Sequence, residues 1–297
     1  MGDPESTIVD QLQPLPQRLL RAAGSRSGSS RVNRADLTVL IIAQNEELKI
    51  GRAIESGLRV GQVLVIDGGS RDSTIAIAKA AGARVIERDF DFAARQYNFG
   101  LEQVTTKWAF ILDADERVGI ALADSIAHVS NDSAMSAFWT ERLNYFVGKP
   151  INHSGWRPDK NVRLVRVSDA RYDDREVHAR MVVGGELGNL TGPIHHFSYG
   201  SIDQYLNKLN QYTSFEVDAR QSVQKVLDNR SQWRALYLRL PFKGTVRFIY
   251  MYVLRAGFLD GRVGLDLARM SAFYERVVSL KSRYKKRASD VEPDVYP

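Results

Sequence analysis

Two carboxylates one residue apart, Asp113 and Asp115, come directly after the mostly apolar run Trp108–Leu112. A short apolar run of this kind reads as a buried strand. Asp113 then stands where the strand leaves its sheet, at the carboxyl end, where open α/β sheets bind ligands. Acids so placed suit a hard divalent cation, Mg²⁺ or Mn²⁺, which takes one or two carboxylates and completes its shell with water and substrate phosphates. On a solvated turn the same Asp-x-Asp would carry no such meaning; the preceding strand gives it weight. A second acidic group, Asp173, Asp174 and Glu176, lies beside His178 and among Arg171, Arg175 and Arg180. These acids either accept a proton or simply pair with the arginines. His195-His196 comes after Gly192-Pro193 and reads as a pair in a loop, where an imidazole could complete a metal shell begun by carboxylates.

The elements that must position these groups alternate. Leu37–Ala43 is a compact β-branched strand, and a helical face comes next with Ile50, Ala53, Ile54 and Leu58. Val63–Ile66 forms a second strand ending at Asp67. Ser70 or Asp72 then caps a helix over Thr74–Ala81. Arg84–Glu87 is a third strand, Ala93–Val104 a helix, and the strand ending at Asp113 comes next. Strand–helix alternation with short links predicts a mostly parallel sheet with helices on both faces, an α/β fold. Met1–Asp36 reads as a tail, with a short helix over Leu12–Leu20 and a flexible linker over Gly24–Arg31.

The turn after the first strand narrows the chemistry. Gln44-Asn45-Glu46-Glu47 occupies the place where a dinucleotide fold needs glycines, and no G-x-x-x-x-G-K-[ST] is present. Acids mark the strand ends instead: Glu46, Asp67, then Asp113 and Asp115. A rim of carboxylates repels bare phosphate and makes sense with a metal bridging to a diphosphate.

In order along the chain, LTVLIIAQNEE, VLVIDGGSRDST, RQYNFGL and WAFILDADE resemble the nucleotide-binding half of family 2 inverting glycosyltransferases of the GT-A fold. HSGWRPDKNVRLVR, YDDREVH, IHHFSY and GFLDGRVGL extend the resemblance, over about Leu37–Leu280, to bacterial lipopolysaccharide core and exopolysaccharide enzymes. The resemblance implies a nucleotide-binding half over about 37–117, an acceptor half over about 118–200 and a helical, membrane-associating region over 201–297. By it, Ala43, Gln44 and Glu46 border the base and ribose of a nucleotide sugar, and Asp67 lies at the uracil and ribose end. Asp113 and Asp115 hold the metal on the diphosphate, with Ala114 between them at the nucleotide and His196 as a further ligand. Arg95 and Asn98 sit near the diphosphate or sugar; for Arg95 a surface salt bridge is the equal alternative. Two positions depart from the pattern. Asp67 is followed by Gly68-Gly69 instead of a second acid, and Ala179 stands where lipopolysaccharide enzymes commonly carry Glu.

An inverting transfer needs one carboxylate to take the acceptor proton. Asp174 is the first candidate, Glu176 the second and Asp159 the third. Ala137–Arg142 reads as a strand leaving the site, succeeded by a turn-rich stretch to Arg157 in which His153 and Trp156 could present ring faces. Asn161–Val167 is a strand that puts Arg163 and Arg166 on opposite faces. Helical periodicity runs from Ile202 to about Asn229, including Val226 and Leu227. Trp233–Phe258 interleaves aromatics with Arg234, Arg239, Lys243, Arg247 and Arg255, and Lys281–Arg287 adds five basic residues. Such a segment suits an anionic membrane surface; the alternative is a core helix pair with solvated arginines.

The whole-chain numbers exclude more than they select. With 297 residues, 44% hydrophobic and 26% charged, the chain can bury a full core. The absence of cysteine excludes disulfides and thiolate metal sites. No secretory signal and no spanning helix are read in it. The formal net charge of +6 favours anionic partners, but its basic residues are scattered or C-terminal and argue against nucleic acid. The expectation is a cytoplasmic enzyme, peripheral on the cytoplasmic face of the inner membrane, that joins a nucleotide-sugar donor to a glycolipid or polysaccharide acceptor. The competing readings are a membrane-associated scaffold that kept the fold and lost the chemistry, and a sugar nucleotidyltransferase.

Overall fold

The computed structural model describes residues 31–129, 131–174, 179–224 and 242–285. The expected helix over Leu12–Leu20, the second base candidate Glu176, His178, Val226, Leu227, Trp233, Arg234, Arg239 and the last basic residues, Lys286 and Arg287, lie outside them. The chain divides into two compact units. One holds the described residues up to Asn144 together with Pro158–Ser198; the other holds Tyr145–Arg157 and the described residues from Tyr199 onward.

The first unit is built on one sheet. Its parallel half consists of β1 (Leu37–Ala43), β2 (Gln62–Asp67), β3 (Arg84–Glu87) and β4 (Trp108–Asp113), in the order β3-β2-β1-β4. Beyond β4 the order continues β8 (Lys160–Arg166), β6 (Met135–Phe146), β11 (Glu186–Tyr199) and β5 (Glu116–Val118). There β4 meets β8, β8 meets β6, and β5 meets β11 antiparallel. A separate hairpin pairs β9 (Ala170–Tyr172) with β10 (Met181–Val183). This is the α/β arrangement expected, parallel through the first four strands and mixed beyond them. The parallel half forms because its strands are apolar on both faces and α1 (Ile50–Gly57), α2 (Thr74–Ala80) and α3 (Ala93–Glu102) cover them. Val39 and Ile41 of β1 pack with Ile50 and Ile54 of α1 and with α4 (Ile120–Ala127), whereas Leu40, Leu64 and Ile66 pack with Tyr97 and Leu101 of α3. Trp108, Phe110, Ile111 and Leu112 are fully buried. Each such side chain contributes about 1.5–3 kcal/mol, so the strand ending at Asp113 is held from both faces.

Register then sets the chemistry-bearing ends side by side. Ala43 pairs with Asp67, Ile42 with Asp113, and Asp67 with Glu87. Antiparallel pairing does the same for the histidines: His196 faces Glu116 and His195 faces Arg117. The histidine pair therefore lies in a strand and not in the loop expected from Gly192-Pro193. Gly192 takes a positive φ of 85° inside β11, which absorbs the irregularity without ending the strand.

In the second unit, the two-residue strand β7 (Lys149–Pro150) pairs with Tyr145 and Phe146, the last residues of β6. Helix α5 (Ile202–Gln224) packs on α7 (Gly261–Lys285), with Tyr205, Leu209 and Leu267 in one buried cluster with Phe146, Ile151 and Tyr199. Lys281 Nζ of α7 donates to Asn210 O and to the Thr213 and Ser214 hydroxyls of α5. Between them in sequence lie α6 (Lys243–Ile249), a π-helical turn over Tyr250–Leu254 and a short 3₁₀ turn, Gly257–Asp260. Among the described residues no helix is long and apolar enough to cross a membrane.

Seating α3 on the sheet depends on Gly100. A Cβ there would lie 2.6 Å from Leu40 Cδ1 and 3.1 Å from Ile66 Cγ1, both fully buried side chains. Gly100→Val should therefore destabilise the protein by about 1–3 kcal/mol through overpacking, read as a lower urea midpoint. An unchanged midpoint would mean that α3 does not sit as described.

Candidate active site

The two loops leaving β1 and β2 are stitched to one another. Asn45 adopts a left-handed φ of 55°; its amide donates to Ser70 Oγ, and its Oδ1 accepts from Arg71 N. Glu46 N donates to Thr74 Oγ1, and Glu47 exchanges bonds with Asp72 and Ser73. Gln44 Nε2 donates to Gly68 O, while Gly68 N returns to Ala43 O. Asp67 is wholly buried. Its carboxylate accepts from Gly69 N, Ser70 N and the Ser70 hydroxyl, so it shapes its own loop. Asp72 accepts from Thr74 N and the Thr74 hydroxyl at the start of α2.

The two carboxylates after β4 face different partners. Asp113 accepts from the Tyr97 hydroxyl of α3 and, at 3.0 Å, from Arg163 Nη2 of β8. Burial alone would raise its pKa. The Arg163 guanidinium and the Tyr97 hydroxyl outweigh that and hold its carboxyl well below the usual range. The same Arg163 Nη2 reaches Glu116 Oε1 at 2.7 Å, and Glu116 Oε2 accepts from Asp113 N. Glu116 is fully buried, and burial raises its pKa despite Arg163. Tyr97 stacks on Tyr172 at 5.1 Å, and burial raises the pKa of both phenols.

Asp115 turns toward His196, its Oδ2 lying 3.4 Å from His196 Nε2 and 3.8 Å from Lys49 Nζ. Burial works against its ionisation, but His196 and Lys49 together keep its pKa lowered. The backbone bond from Phe197 N to Asp115 O fixes the two strands at that level. His195, on the opposite face of β11, lies against Gly119; burial lowers its pKa. Arg117 closes the turn by donating to Ala114 O and Lys49 O.

The remaining candidates are each engaged by a neighbour. Asn98 gives both ends of its amide to the backbone of Tyr172. Arg95 pairs with Asp174 at 3.1 Å on the surface and with Asp91. Asp174 is otherwise exposed. Asp159 accepts from Arg142 Nε at 2.7 Å, Asn144 Nδ2 at 3.1 Å and Asn161 Nδ2 at 2.9 Å. Burial opposes its ionisation, and Arg142 and the amides lower its pKa overall. Glu116, Arg142, Asn144, Arg163, Tyr97 and Lys49 join the site without having stood out as site residues in the sequence. Only Glu116, adjacent to Asp115 in DADE, carried a local signal.

The donor set can be tested against a divalent cation. Among the described residues no three carboxylate or imidazole side chains converge on one point. Asp115 and His196 do meet, Asp115 Oδ2 lying 3.4 Å from His196 Nε2. That pair fits a hard cation, because such ions keep several positions for water and phosphate oxygens. Asp113, with Tyr97 and Arg163 on its two oxygens, is the less available of the two acids.

Residues 38–177 match the family described as Glycosyl transferase family 2. Among curated proteins, the lipopolysaccharide core biosynthesis glycosyltransferase LpsC of Rhizobium meliloti is 29% identical over 272 residues, 89% of this chain and 97% of that one. An uncharacterized glycosyltransferase of Rickettsia typhi is 28% identical over 83% of this chain and 89% of its own. Among solved structures, glucosyl-3-phosphoglycerate synthase of Mycobacterium tuberculosis, in complex with Mn²⁺ and uridine diphosphate, aligns with TM-score 0.30 and 21% identity over 38% of this chain and 44% of that one. TarS 1–349 of S. aureus aligns with TM-score 0.45 and 11% identity over 86% and 92%. Over residues 38–177 the chain is similar to the family 2 glycosyl transferases, and its likeness over most of its length to proteins named glycosyltransferases supports a transferase.

The electrostatics give a pH dependence. Asp159 has a lowered pKa when folded, so its contribution is full above the ordinary carboxylate value of about 4 and is lost as pH falls through the lowered value. Asp159→Asn should therefore lower stability by about 2 kcal/mol at neutral pH, and the gap to the parent should close on acidification below about pH 4. A gap that stays constant with pH in thermal melts would contradict the ion pair with Arg142.

Proposed function

We propose that this glycosyltransferase works with inversion, moving a sugar from a nucleotide diphosphate, UDP in the first instance, to a hydroxyl of a glycolipid or surface polysaccharide. One observation supports the reading: Asp115 and His196, two residues whose types can hold a divalent cation, meet just past the carboxyl end of β4, with Oδ2 3.4 Å from Nε2. The same edge of the sheet bears the stitched loops after β1 and β2. The acceptor class is supported by the likeness to LpsC, whose name places that protein in lipopolysaccharide core biosynthesis.

Asp115 and His196 would hold Mg²⁺ or Mn²⁺ on the diphosphate, and the bound ion would supply positive charge where the leaving group becomes negative. The chain's own residues bind and orient. Ala43, Gln44, Glu46 and the Asp67 loop border base and ribose. Asp113, tied to Tyr97 and Arg163, fixes the turn that carries Ala114 and Asp115. The acceptor oxygen bonds to the anomeric carbon as the bond to the diphosphate breaks, and its proton passes to a carboxylate. Asp174 is the first candidate for that base and Glu176 the second. Asp159 is set aside because Arg142 and two amides already occupy its oxygens.

The membrane is a partner in this reading. Phe242, Val246, Ile249, Val253, Leu254, Phe258 and Leu259 are exposed large apolar side chains within one stretch of the second unit. The same stretch brings Lys243, Arg247 and Arg255, and its single acid, Asp260, is turned inward onto His153 and the amides of Asn152 and His153. Apolar residues with cations and no outward acid suit an anionic lipid surface, each cation near it contributing about 1 kcal/mol. The enzyme would then sit on the cytoplasmic face of the inner membrane.

Calorimetric titration with UDP, with Mn²⁺ and then with EDTA, tests the donor site. Metal-dependent binding that is lost in Asp115→Ala is expected. Absence of binding by any nucleoside diphosphate would sink the reading and favour a scaffold. Asp174→Asn and Glu176→Gln should keep UDP affinity, and the one that removes the base should lower kcat at least ~100-fold.

Sedimentation with vesicles tests the surface. Binding to phosphatidylglycerol vesicles should drop roughly tenfold in Leu254→Asp, as expected for about 1.4 kcal/mol. Equal recovery of the parent protein with and without vesicles would refute the membrane role.

A further inference from the structure

We infer that the second unit carries a binding groove for one acyl chain of an anionic phospholipid, formed between α6 and α7, with Arg276 as the chief partner of the lipid phosphate. The inference deepens the membrane reading above and rests on it for the source of the lipid. The groove is built from other residues than the exposed set described there.

The groove arises where two helices cross closely. Gly244 of α6 sits against the α7 backbone, where a Cβ would lie 2.8 Å from Ala272 O. Arg247 Nε donates to Ser271 Oγ at 2.9 Å and ties the same crossing. Beside this contact Phe248 and Phe273 wall a cavity of about 320 Å³, which Gly244 and Ala272 also line. Phe248 is held in place by stacking on Tyr252 at 5.4 Å. The volume is at the small end of the range for ligand sites, about 300–1,000 Å³. With apolar walls, it suits a narrow hydrocarbon chain.

The charge around the groove is of one sign. Arg269, Phe273, Arg276, Leu280 and Arg283 follow one another at steps of four and three residues, so they share one face of α7. All five are exposed, whereas Leu267 and Val278 on the opposite face are buried. Neither acid of α7 answers that stripe: Asp266 pairs with Arg269 at 3.8 Å, and Glu275 is buried. Arg276 has no hydrogen-bond or ion-pair partner among the described residues. Arg269 and Arg276 both line the cavity, so a phosphate can meet a guanidinium fork while its chain lies between the aromatic rings. A bare phosphate would leave those rings uncovered. A second copy of the chain laid on the stripe about a two-fold axis would set arginines against arginines. An anionic lipid satisfies both halves of the site.

The test titrates the full chain calorimetrically with dihexanoyl-phosphatidylglycerol below its micelle concentration, so that no membrane is present. Saturable binding is expected. Glycerol 3-phosphate, which lacks the chains, and dihexanoyl-phosphatidylcholine, which lacks net charge, should each bind at least about fivefold more weakly. Arg276→Ala should weaken binding about fivefold, and Thr245→Trp, which fills the cavity from an exposed position, should abolish it. If the tryptophan variant fails to fold, Phe273→Ser removes one wall and should weaken binding about tenfold. In phosphatidylglycerol vesicles carrying a diazirine on one acyl chain, cross-links should fall within residues 244–248 and 269–276. Cross-links confined to residues 249–259 overturn the groove and leave the membrane role intact. Binding of the short-chain lipid without binding to vesicles removes the membrane reading and upholds the groove. Equal affinity for glycerol 3-phosphate overturns the inference, as does no binding of the short-chain lipid. A concentration-dependent dimer that Phe273→Ser dissolves also overturns it, because a second copy would then cover the groove.

Discussion

One guanidinium governs the site. Arg163 is buried and touches both Asp113 and Glu116. A charge in that position costs several kcal/mol unless it is paired and hydrogen-bonded. Two carboxylates against one arginine would leave a surplus of negative charge, and Arg142 supplies the second cation on Glu116. Removing Arg163 would leave two acids facing each other at the end of the strand that carries Asp115. The turn after β4 is held from beneath because each of these buried acids meets a guanidinium.

Those guanidiniums come from the mixed half of the sheet. The parallel strands bring backbone ends and loops to one edge, which suits a nucleotide, but parallel neighbours supply few side chains from below. β8, β6 and β11 lie on the other side of β4 and carry Arg163, Arg142, Asn144 and His196 to the level of the Asp-x-Asp. Antiparallel pairing lets residues far apart in sequence meet at a fixed height. Asn144 and His196, on neighbouring strands and separated by 52 positions, meet at 2.6 Å.

The parallel half was legible in the sequence because each of its strands is a compact apolar run ending in an acid, and such runs need no partner to be seen. Asp113, Asp115 and the loops after β1 and β2 were placed for the same reason. The circuit beneath them was not legible. Arg163 and Arg142 sit in strands whose alternation shows only that one face is polar, and a buried arginine looks the same on paper as a solvated one. Asp67 was expected at the uracil and ribose and Asn98 near the diphosphate or sugar; that Asn98 also bonds the Tyr172 backbone and Asp67 its own Gly69–Ser70 turn is something only the folded chain can show. Gly192-Pro193 suggested a loop at the histidines, whereas β11 runs through it because β5 offers a partner strand.

The two acids of the Asp-x-Asp therefore divide their work. A carboxylate that already accepts from a buried tyrosine and a buried arginine has little left to offer a cation, and stripping it of those partners would expose the charge they neutralise. Its neighbour, two residues on, points the other way, toward the His196 imidazole and the Lys49 ammonium. Spacing by one residue produces that division where the strand gives way to the turn: Asp113 still belongs to β4 and its packing, while Asp115 has left it. An Asp-x-Asp at a strand end can thus set its two acids in different surroundings, one held by the packing of the strand and one by the partners of the turn.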